Sequence, residues 1–492
     1  MDFNTTSPAD RQRFGPAEVF AAGLAQHHIA NTAYPIGHVT TMRPYRVTRR
    51  AGEDDRVAAA AWENIDTLCL YVHIPFCEKR CSFCEYTVVD PRQNQSAEDT
   101  YFDLLLREFE IWGQAIASQR KTLIGFDIGG GTPALPKAAN TARVIEAARR
   151  HFRFKPGMQI SIETTPRIAA TDPQKMRDLR ALGIDRISMG VQTIQPSLLK
   201  ALGRTASAAD LNFMARDAVR AAGFAKFNVD LMYGFARQAL RSWEETLQHA
   251  IELDPAYITL YRMRYKGTQL AAQSAQVMLE QINAMAQLAK AKLSAAGYHA
   301  NPGKNTYSRL PGDPGTSDYL TTRVIDGTPY LGLGLGAQSL SQVTLSYNSG
   351  AAGKNLTQYQ QKIEAGCAPL HDVYHLSREA AMGKMISVSF YFGEINLGSF
   401  QRKFGLTLEQ AFPDAVAFVL QRGLMEYTDS TLRLTSAGAP LVNGVIALFY
   451  APAVQEHVLK LTRGEGVKPA RGWRKIWQPQ YEALKAVHVR LR

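Results

Sequence analysis

Three cysteines within eight residues, Cys77, Cys81 and Cys84 of CEKRCSFCEY (77–86), form the densest group of soft ligands in the chain. Thiolates in such a C-x3-C-x2-C spacing bind zinc or an iron–sulfur cluster. Structural zinc asks for four protein ligands, and no fourth Cys or His follows just downstream. Upstream, His73 and Cys69 fall on the strand-like run LCLYVHI (68–74), where His73 points elsewhere and Cys69 reads as a small buried hydrophobe. Cys367 is isolated and reads as structural. Iron–sulfur clusters usually take four cysteines. One held by three keeps an iron with an open coordination position, which suits binding a substrate or cosubstrate. That open-site cluster is preferred here over zinc and over a closed structural cluster.

The elements that must carry this loop alternate regularly. Strand-like runs at 68–74, 123–128, 159–165, 186–192, 226–234 and 257–263 are followed by helical stretches near 97–118, 138–150, 172–182, 208–222, 241–252 and 275–296. Six βα alternations predict parallel strands wound with helices, an α/β fold of barrel type whose C-terminal strand ends carry the active residues. GGGTP (129–133) sits at one such end, as a tight turn or as a place where backbone approaches a ligand closely. Beyond YLGLGLGAQS (330–339) the texture changes to helical runs, with GLMEYTDSTLRLTSAG reading as two short strands around Asp429-Ser430. The resulting division is an N-terminal extension over 1–65, a barrel over 66–300, an extending linker over 301–370, a winged-helix-like α+β domain over 371–450 and a basic tail over 451–492.

Composition bounds the rest. The 492 residues, 46% hydrophobic, 20% charged and 9% aromatic, are those of an ordinary globular enzyme of about three units by a prior of roughly 150 residues each. No run of about 18 apolar residues predicts a membrane span. MDFNTTSPAD is unlike a secretory signal, and five cysteines are too few for a secreted disulfide framework, so the expected compartment is the cytoplasm. The net charge of +12 is concentrated: Leu459 to Arg492 holds nine Lys/Arg against two acids. With Trp473, Trp477 and Tyr481 this tail could touch an anionic partner, but it reads first as a solvated helix, and no nucleic-acid partner is expected.

YVHIPFC with the C-x3-C-x2-C loop resembles the radical S-adenosylmethionine (SAM) superfamily, in the HemN-like branch typified by oxygen-independent coproporphyrinogen III oxidase. GGGTP, GIDRISMGVQ (183–192), LGRT (202–205), NVDLMYG (228–234), YLGLGLGAQS and NLTQYQQKIEAG (355–366) follow in the family's order, so the resemblance spans roughly 66–450. It implies a [4Fe-4S] cluster on Cys77, Cys81 and Cys84, whose open iron chelates SAM, and a partial (β/α)6 barrel. It also implies reductive cleavage of SAM to a 5′-deoxyadenosyl radical. Phe83 would shield the cluster, Gly130, Gly131 and Thr132 would meet SAM's methionine end, Glu163 its ribose, and Tyr71 and Gln338 would stand near it. Positions matching a second SAM site are Gln192, Arg204 and Asp230, so two SAM molecules are expected. A flavodoxin- or ferredoxin-type electron donor is implied as well.

Departures from the pattern separate the branches. The porphyrinogen oxidases carry a further cysteine where this chain has Tyr86, and NTAYPIGH (31–38) matches their YP-containing segment only briefly. The heme chaperones carry a His and a Trp that TSDYLTTRVIDG (316–327) lacks. By elimination the chain is most similar to the class C methyltransferases and cyclopropanases, which add a carbon from the second SAM to an sp2 carbon of an aromatic or heteroaromatic small molecule. The alternative is coproporphyrinogen oxidation or another heme-handling role on a tetrapyrrole. A DNA-binding iron–sulfur regulator is the remote third.

Overall fold

In the computed structural model, residues 13–26, 38–50, 52–90, 97–204, 209–265, 268–351 and 355–465 are described. The YP-containing segment at 31–37, Thr205 of LGRT and the tail aromatics Trp473, Trp477 and Tyr481 lie outside them. Strands β1 (Thr67–Ile74), β2 (Thr122–Gly130), β3 (Arg153–Phe154), β4 (Ile160–Thr164), β5 (Arg186–Gln192), β6 (Phe227–Tyr233) and β7 (Tyr257–Arg262) occupy the first half of the chain. β1, β2, β4, β5, β6 and β7 pair in that order, every pair parallel, with β3 a two-residue spur on β2. Helices on their outer face return the chain after each strand, which is why the strands read as nearly continuous apolar runs: both faces are covered.

The arc does not close on itself. β7 continues antiparallel into β8 (Thr306–Ser308), and on the other side β1 pairs in parallel with β9 (Tyr330–Leu333). From β9 the sheet runs antiparallel through β10 (Gln338–Leu340), β11 (Thr344–Asn348) and β12 (Leu370–His375). The expected partial (β/α)6 barrel is therefore present. The start of the expected linker over 301–370 contributes β8, which pairs onto the barrel's last strand.

Local signals set the helix starts. Thr165 and Asp172 each accept a bond from the backbone N–H three residues on, with Pro166 and Pro173 at the next position, where a missing N–H costs nothing. Ser317, Ser377 and Asn396 cap in the same way, and Thr407 with Gln410 forms a capping box.

The C-terminal part combines helices with a three-stranded antiparallel wing, β13 (Glu394–Asn396), β14 (Met425–Tyr427) and β15 (Thr431–Leu434), with β15 central. The N-terminal helix Pro16–Ala25 packs into this part: a Cβ on Gly23 would lie 2.6 Å from Ala447 Cβ, and one on Gly444 2.8 Å from the Phe20 ring. Val19, Phe20 and Leu24 share one buried cluster with Val445, Ile446 and Phe418. Among the described residues no helix is long and apolar enough to cross a membrane.

Candidate active site

The cysteine loop leaves β1 and is pinned at its base. Phe76 bridges Val89, the Cys77 N–H donates to Val89 O (3.0 Å), and the Val89 N–H donates to Pro75 O (2.7 Å). A turn joins the Cys84 N–H to Cys81 O at 3.1 Å. The loop's middle is held from outside, as the Ser82 N–H reaches Leu202 O and Ser82 O accepts from the Gln269 N–H, both at 3.0 Å. The glycine turn after β2 is strapped to the same loop: the Gly131 N–H donates to Ile74 O (2.8 Å) and the Thr132 N–H to Phe76 O (2.7 Å). Gly130 has φ +123°, and a Cβ there would stand 2.8 Å from the His73 ring, so only glycine lets the turn lie this close. His73 itself bonds Thr87 O through Nε2 at 2.9 Å and does not face the cysteines' cavity.

Cys77, Cys81 and Cys84 line one cavity of about 340 Å³ with Gly130, Gly131 and Thr132. Burial pushes the Cys77 thiol up to about 12, against a contact with Thr132 Oγ1 at 3.4 Å. A thiol held so high is protonated at neutral pH unless a bound metal compensates its charge. Three thiolates on one short loop can each take an iron of a cluster and leave one iron open, whereas structural zinc asks for a fourth Cys or His that the cavity lining does not supply.

The opposite wall of this cavity carries Glu163, Gln192, Arg204 and Asp230. Gln192 ends β5 at φ +68°, the left-handed region that costs a non-glycine residue strain, beside a register shift against β6. Its Oε1 is buried with no hydrogen-bond partner. Gly190 makes room: a Cβ there would sit 2.8 Å from Gln192 Nε2 and 3.5 Å from the Arg204 guanidinium. A strained backbone holding an unsatisfied amide at a cavity, beside an arginine, can bond a polar ligand there. Asp230 accepts from Asn228 Nδ2 (2.7 Å) and Ser188 Oγ (3.0 Å), yet burial still pushes its carboxyl up to about 6. Burial, then the Asp230 and Asp127 carboxylates, also raise Glu163.

A second cavity, of about 550 Å³, continues outward, sharing Phe83, Cys84, Tyr86, Glu163, Gln192 and Asp230 with the first. Its far side is cationic: Arg262 ends β7 and Arg264 follows it, Arg323 comes from the helix Asp318–Ile325, Lys384 from the helix Arg378–Ser389 and Lys403 from the helix Leu397–Phe404. Tyrosines 261, 330, 347 and 391 and the aliphatic side chains of Leu340, Leu376 and Val388 fill the gaps between these charges. Burial pulls Lys384 down to about 7, helped by Arg323 and Lys403, and pulls Lys403 down to about 8. Tyr86 is ringed by this protein wall yet 58% exposed, because it borders the open space between the two cavities.

Of the residues singled out in the sequence, Cys77, Cys81, Phe83, Cys84, Gly130, Gly131, Thr132, Glu163, Gln192, Arg204 and Asp230 line the inner cavity. Gln338 lines the outer one, accepting from Tyr330 and donating to Tyr347 Oη at 2.7 Å. Tyr71 lines neither: it stands behind Gly129, its Oη 3.4 Å from His73 Nδ1. Tyr71 and Asp230 lie mid-strand rather than at strand ends, and Gly129 and Gly130 still belong to β2. The outer cations escaped the sequence reading. Only Arg262 and Arg264 left a signal, standing where the C-terminal end of the sixth barrel strand should present active groups.

A model of the radical SAM superfamily matches residues 71–250. This is the class that the barrel, the cysteine loop and the glycine turn define. The chain is 27% identical over 403 residues to the oxygen-independent coproporphyrinogen III oxidase of Salmonella typhimurium, covering 78% of this chain and 85% of that one. It is 27% identical over 392 residues to the heme chaperone HemW of Mycobacterium tuberculosis, covering 77% and 93%. The solved structure of coproporphyrinogen III oxidase (HemN) from Escherichia coli superposes with a TM-score of 0.69 at 25% identity, over 85% of this chain and 96% of that one. The chain thus carries a radical SAM domain over residues 71–250 and is similar to HemN-like proteins in sequence and fold; the cofactors of that superfamily are a [4Fe-4S] cluster and SAM. The relatives carry oxidase and heme-chaperone names; the methyl-transfer reading draws no support from them, and the oxidase alternative fits better.

Proposed function

We propose that this protein oxidises a propionate-bearing tetrapyrrole of the coproporphyrinogen class without oxygen. The observation that carries the reading is the outer cavity: Arg262, Arg264, Arg323, Lys384 and Lys403 surround a tyrosine- and aliphatic-lined space that opens directly onto the cysteine side. A flat apolar ring with several carboxylates at its rim complements such a wall, because each carboxylate gains a charge-assisted hydrogen bond while the ring covers apolar surface. The names and coverage of the relatives support the same substrate class.

Within this reading Cys77, Cys81 and Cys84 hold the cluster. When bound, the reduced cluster and SAM supply a hydrogen-abstracting 5′-deoxyadenosyl radical. Gly130, Gly131 and Thr132 offer backbone to SAM's methionine end, and Glu163 accepts from its ribose. Phe83 lies between Cys81 and Cys84 in sequence and borders both cavities, so it keeps water from the cluster. Gln192, Arg204 and Asp230 orient a second polar ligand, a further SAM or a substrate carboxylate. The outer cations fix the macrocycle's propionates and so decide which side chain is presented inward. An external one-electron donor of flavodoxin or ferredoxin type reduces the cluster.

The test supplies anaerobically reconstituted enzyme with reductant, methyl-deuterated SAM and coproporphyrinogen III. Release of CO2 with unlabelled 5′-deoxyadenosine supports the oxidase. Deuterium in 5′-deoxyadenosine together with S-adenosylhomocysteine would instead overturn it in favour of methyl transfer.

A further inference from the structure

A third cavity, of about 490 Å³, lies where the C-terminal end of β7, the helix Leu279–Ala295, the segment 300–305 and the helix Val442–Leu448 meet. Its size falls within the range of small-molecule sites, roughly 300–1,000 Å³. It shares Tyr261, Arg262, Arg264 and Tyr391 with the outer cavity, so one layer of side chains divides the two. At the other end Gln287, Lys290 and Asn301 are exposed, so it opens at the surface.

Its chemistry is one-sided. Among the described residues its lining holds Arg262, Arg264, Lys290 and Lys304 and no carboxylate. Lys290 Nζ reaches Ser436 Oγ at 3.3 Å, while Lys304 donates to Pro314 O and lies 4.7 Å from the centre of the Phe392 ring. Glu394 and Asp313 are the acids that act on Lys304, and they only partly offset the burial that pulls it down to about 8. Tyr233, Tyr307, Phe390 and Ile446 supply flat and aliphatic wall. Four cations and an aromatic lining repeat the cationic wall of the outer cavity on the far side of a shared partition, here without the carboxylates Glu85, Glu163 and Asp230 that the outer cavity holds.

We propose that this cavity is a second binding pocket for a flat, carboxylate-bearing ligand, a vestibule that holds a substrate or product molecule beside the outer cavity. The ligand class rests on the tetrapyrrole reading above. The pocket adds a capture site whose positive field draws polyanions from solution and holds them beside the Tyr261, Arg262, Arg264 and Tyr391 partition. No step of bond making is assigned to it.

The experiment titrates the reconstituted holoenzyme with coproporphyrin III, the stable oxidised ring bearing four propionates, and counts bound porphyrin by equilibrium dialysis. Two molecules per chain are expected for the wild type. Ala286→Trp, which fills the vestibule, should bind one, and Lys304→Met should weaken one of the two sites at least tenfold, with substrate-free SAM cleavage unchanged in both. Should Ala286→Trp fail to fold, Lys304→Met decides. Stoichiometry of one or zero in the wild type, or two equal sites untouched by both substitutions, overturns the vestibule. CO2 release judges the oxidase reading separately: turnover with a single porphyrin site sinks the vestibule alone, and two sites without turnover sink the oxidase alone.

Discussion

The inner and outer cavities meet at Cys84, Glu163, Gln192 and Asp230, yet they are built in opposite ways. The inner one is made by short contiguous segments, an eight-residue cysteine span and a glycine turn, strapped together by backbone hydrogen bonds. The outer one draws its cations from the end of β7 and three separate helices, with β9 to β11 completing its wall. A cluster must hold its irons to fractions of an ångström, so its ligands sit on one short loop. A large, flat polyanion is gripped at its corners, so its partners must come from distant parts of the chain.

That contrast can be broken experimentally, beginning where the effect is greatest. Replacing Cys81 by Ala should abolish the brown iron–sulfur absorbance and SAM cleavage; an undiminished chromophore would refute the assignment. Gly190→Val comes next. Its side chain would collide with Gln192 and the Arg204 guanidinium, and overpacking at such a site costs about 1–3 kcal/mol. We expect affinity for the ligand these residues orient, read by equilibrium binding of SAM and of porphyrin in turn, to fall at least about fivefold; unchanged affinity for both would detach Gln192 and Arg204 from the site.

Lys384→Met attacks the other cavity. Losing one charge-assisted bond of about 1.5–3 kcal/mol should raise KM for the tetrapyrrole by about 10- to 150-fold and leave the chromophore and substrate-free SAM cleavage intact. Equal loss in both assays would mean that the cavities are not separable.

A milder probe is pH. Lys384 and Lys403 are held down to about 7 and about 8, facing Arg323 and each other, so their charge is lost as pH rises through 7 to 8. Anion binding favours the protonated amines, which moves the transition upward but keeps its sign. KM should therefore increase between pH 7 and 9, and the increase should shrink in Lys384→Met.

The smallest effect is expected from Tyr86→Cys at the junction of the two cavities. More than half exposed and with its side chain in open space, it should change stability by no more than about 0.5 kcal/mol, read as an unshifted melting curve. Its influence on product distribution tests whether the cysteine that the oxidases carry there is interchangeable with tyrosine.

How much of this was legible follows from the same contrast. GGGTP and Glu163 could be reached because barrel strands have a period and an end, and site residues cluster near that end; Gln192 and Asp230, the latter mid-strand, were placed by the resemblance alone. Cys69 was rightly read as a buried hydrophobe: it is buried, its Sγ 3.1 Å from Thr322 Oγ1. Tyr71, placed by the YVHIPFC resemblance, borders neither cavity and stands behind Gly129. The strain at Gln192 was invisible, since φ is set by the bulge against β6 and not by residue type.

By itself the sequence determined the six βα units, the wing strands around Asp429-Ser430 and the loop that offers three thiolates with a position to spare. These follow from local rules, namely apolar periodicity, capping residues and ligand spacing. Only the tertiary structure decided that Arg264, Arg323, Lys384 and Lys403, up to 139 residues apart in the chain, face one space. Nothing in their neighbours announces it, because a solvated lysine and a lysine turned into a cavity have the same local sequence. Packing of the C-terminal helices over the open side of the barrel turns four unremarkable cations into a binding wall.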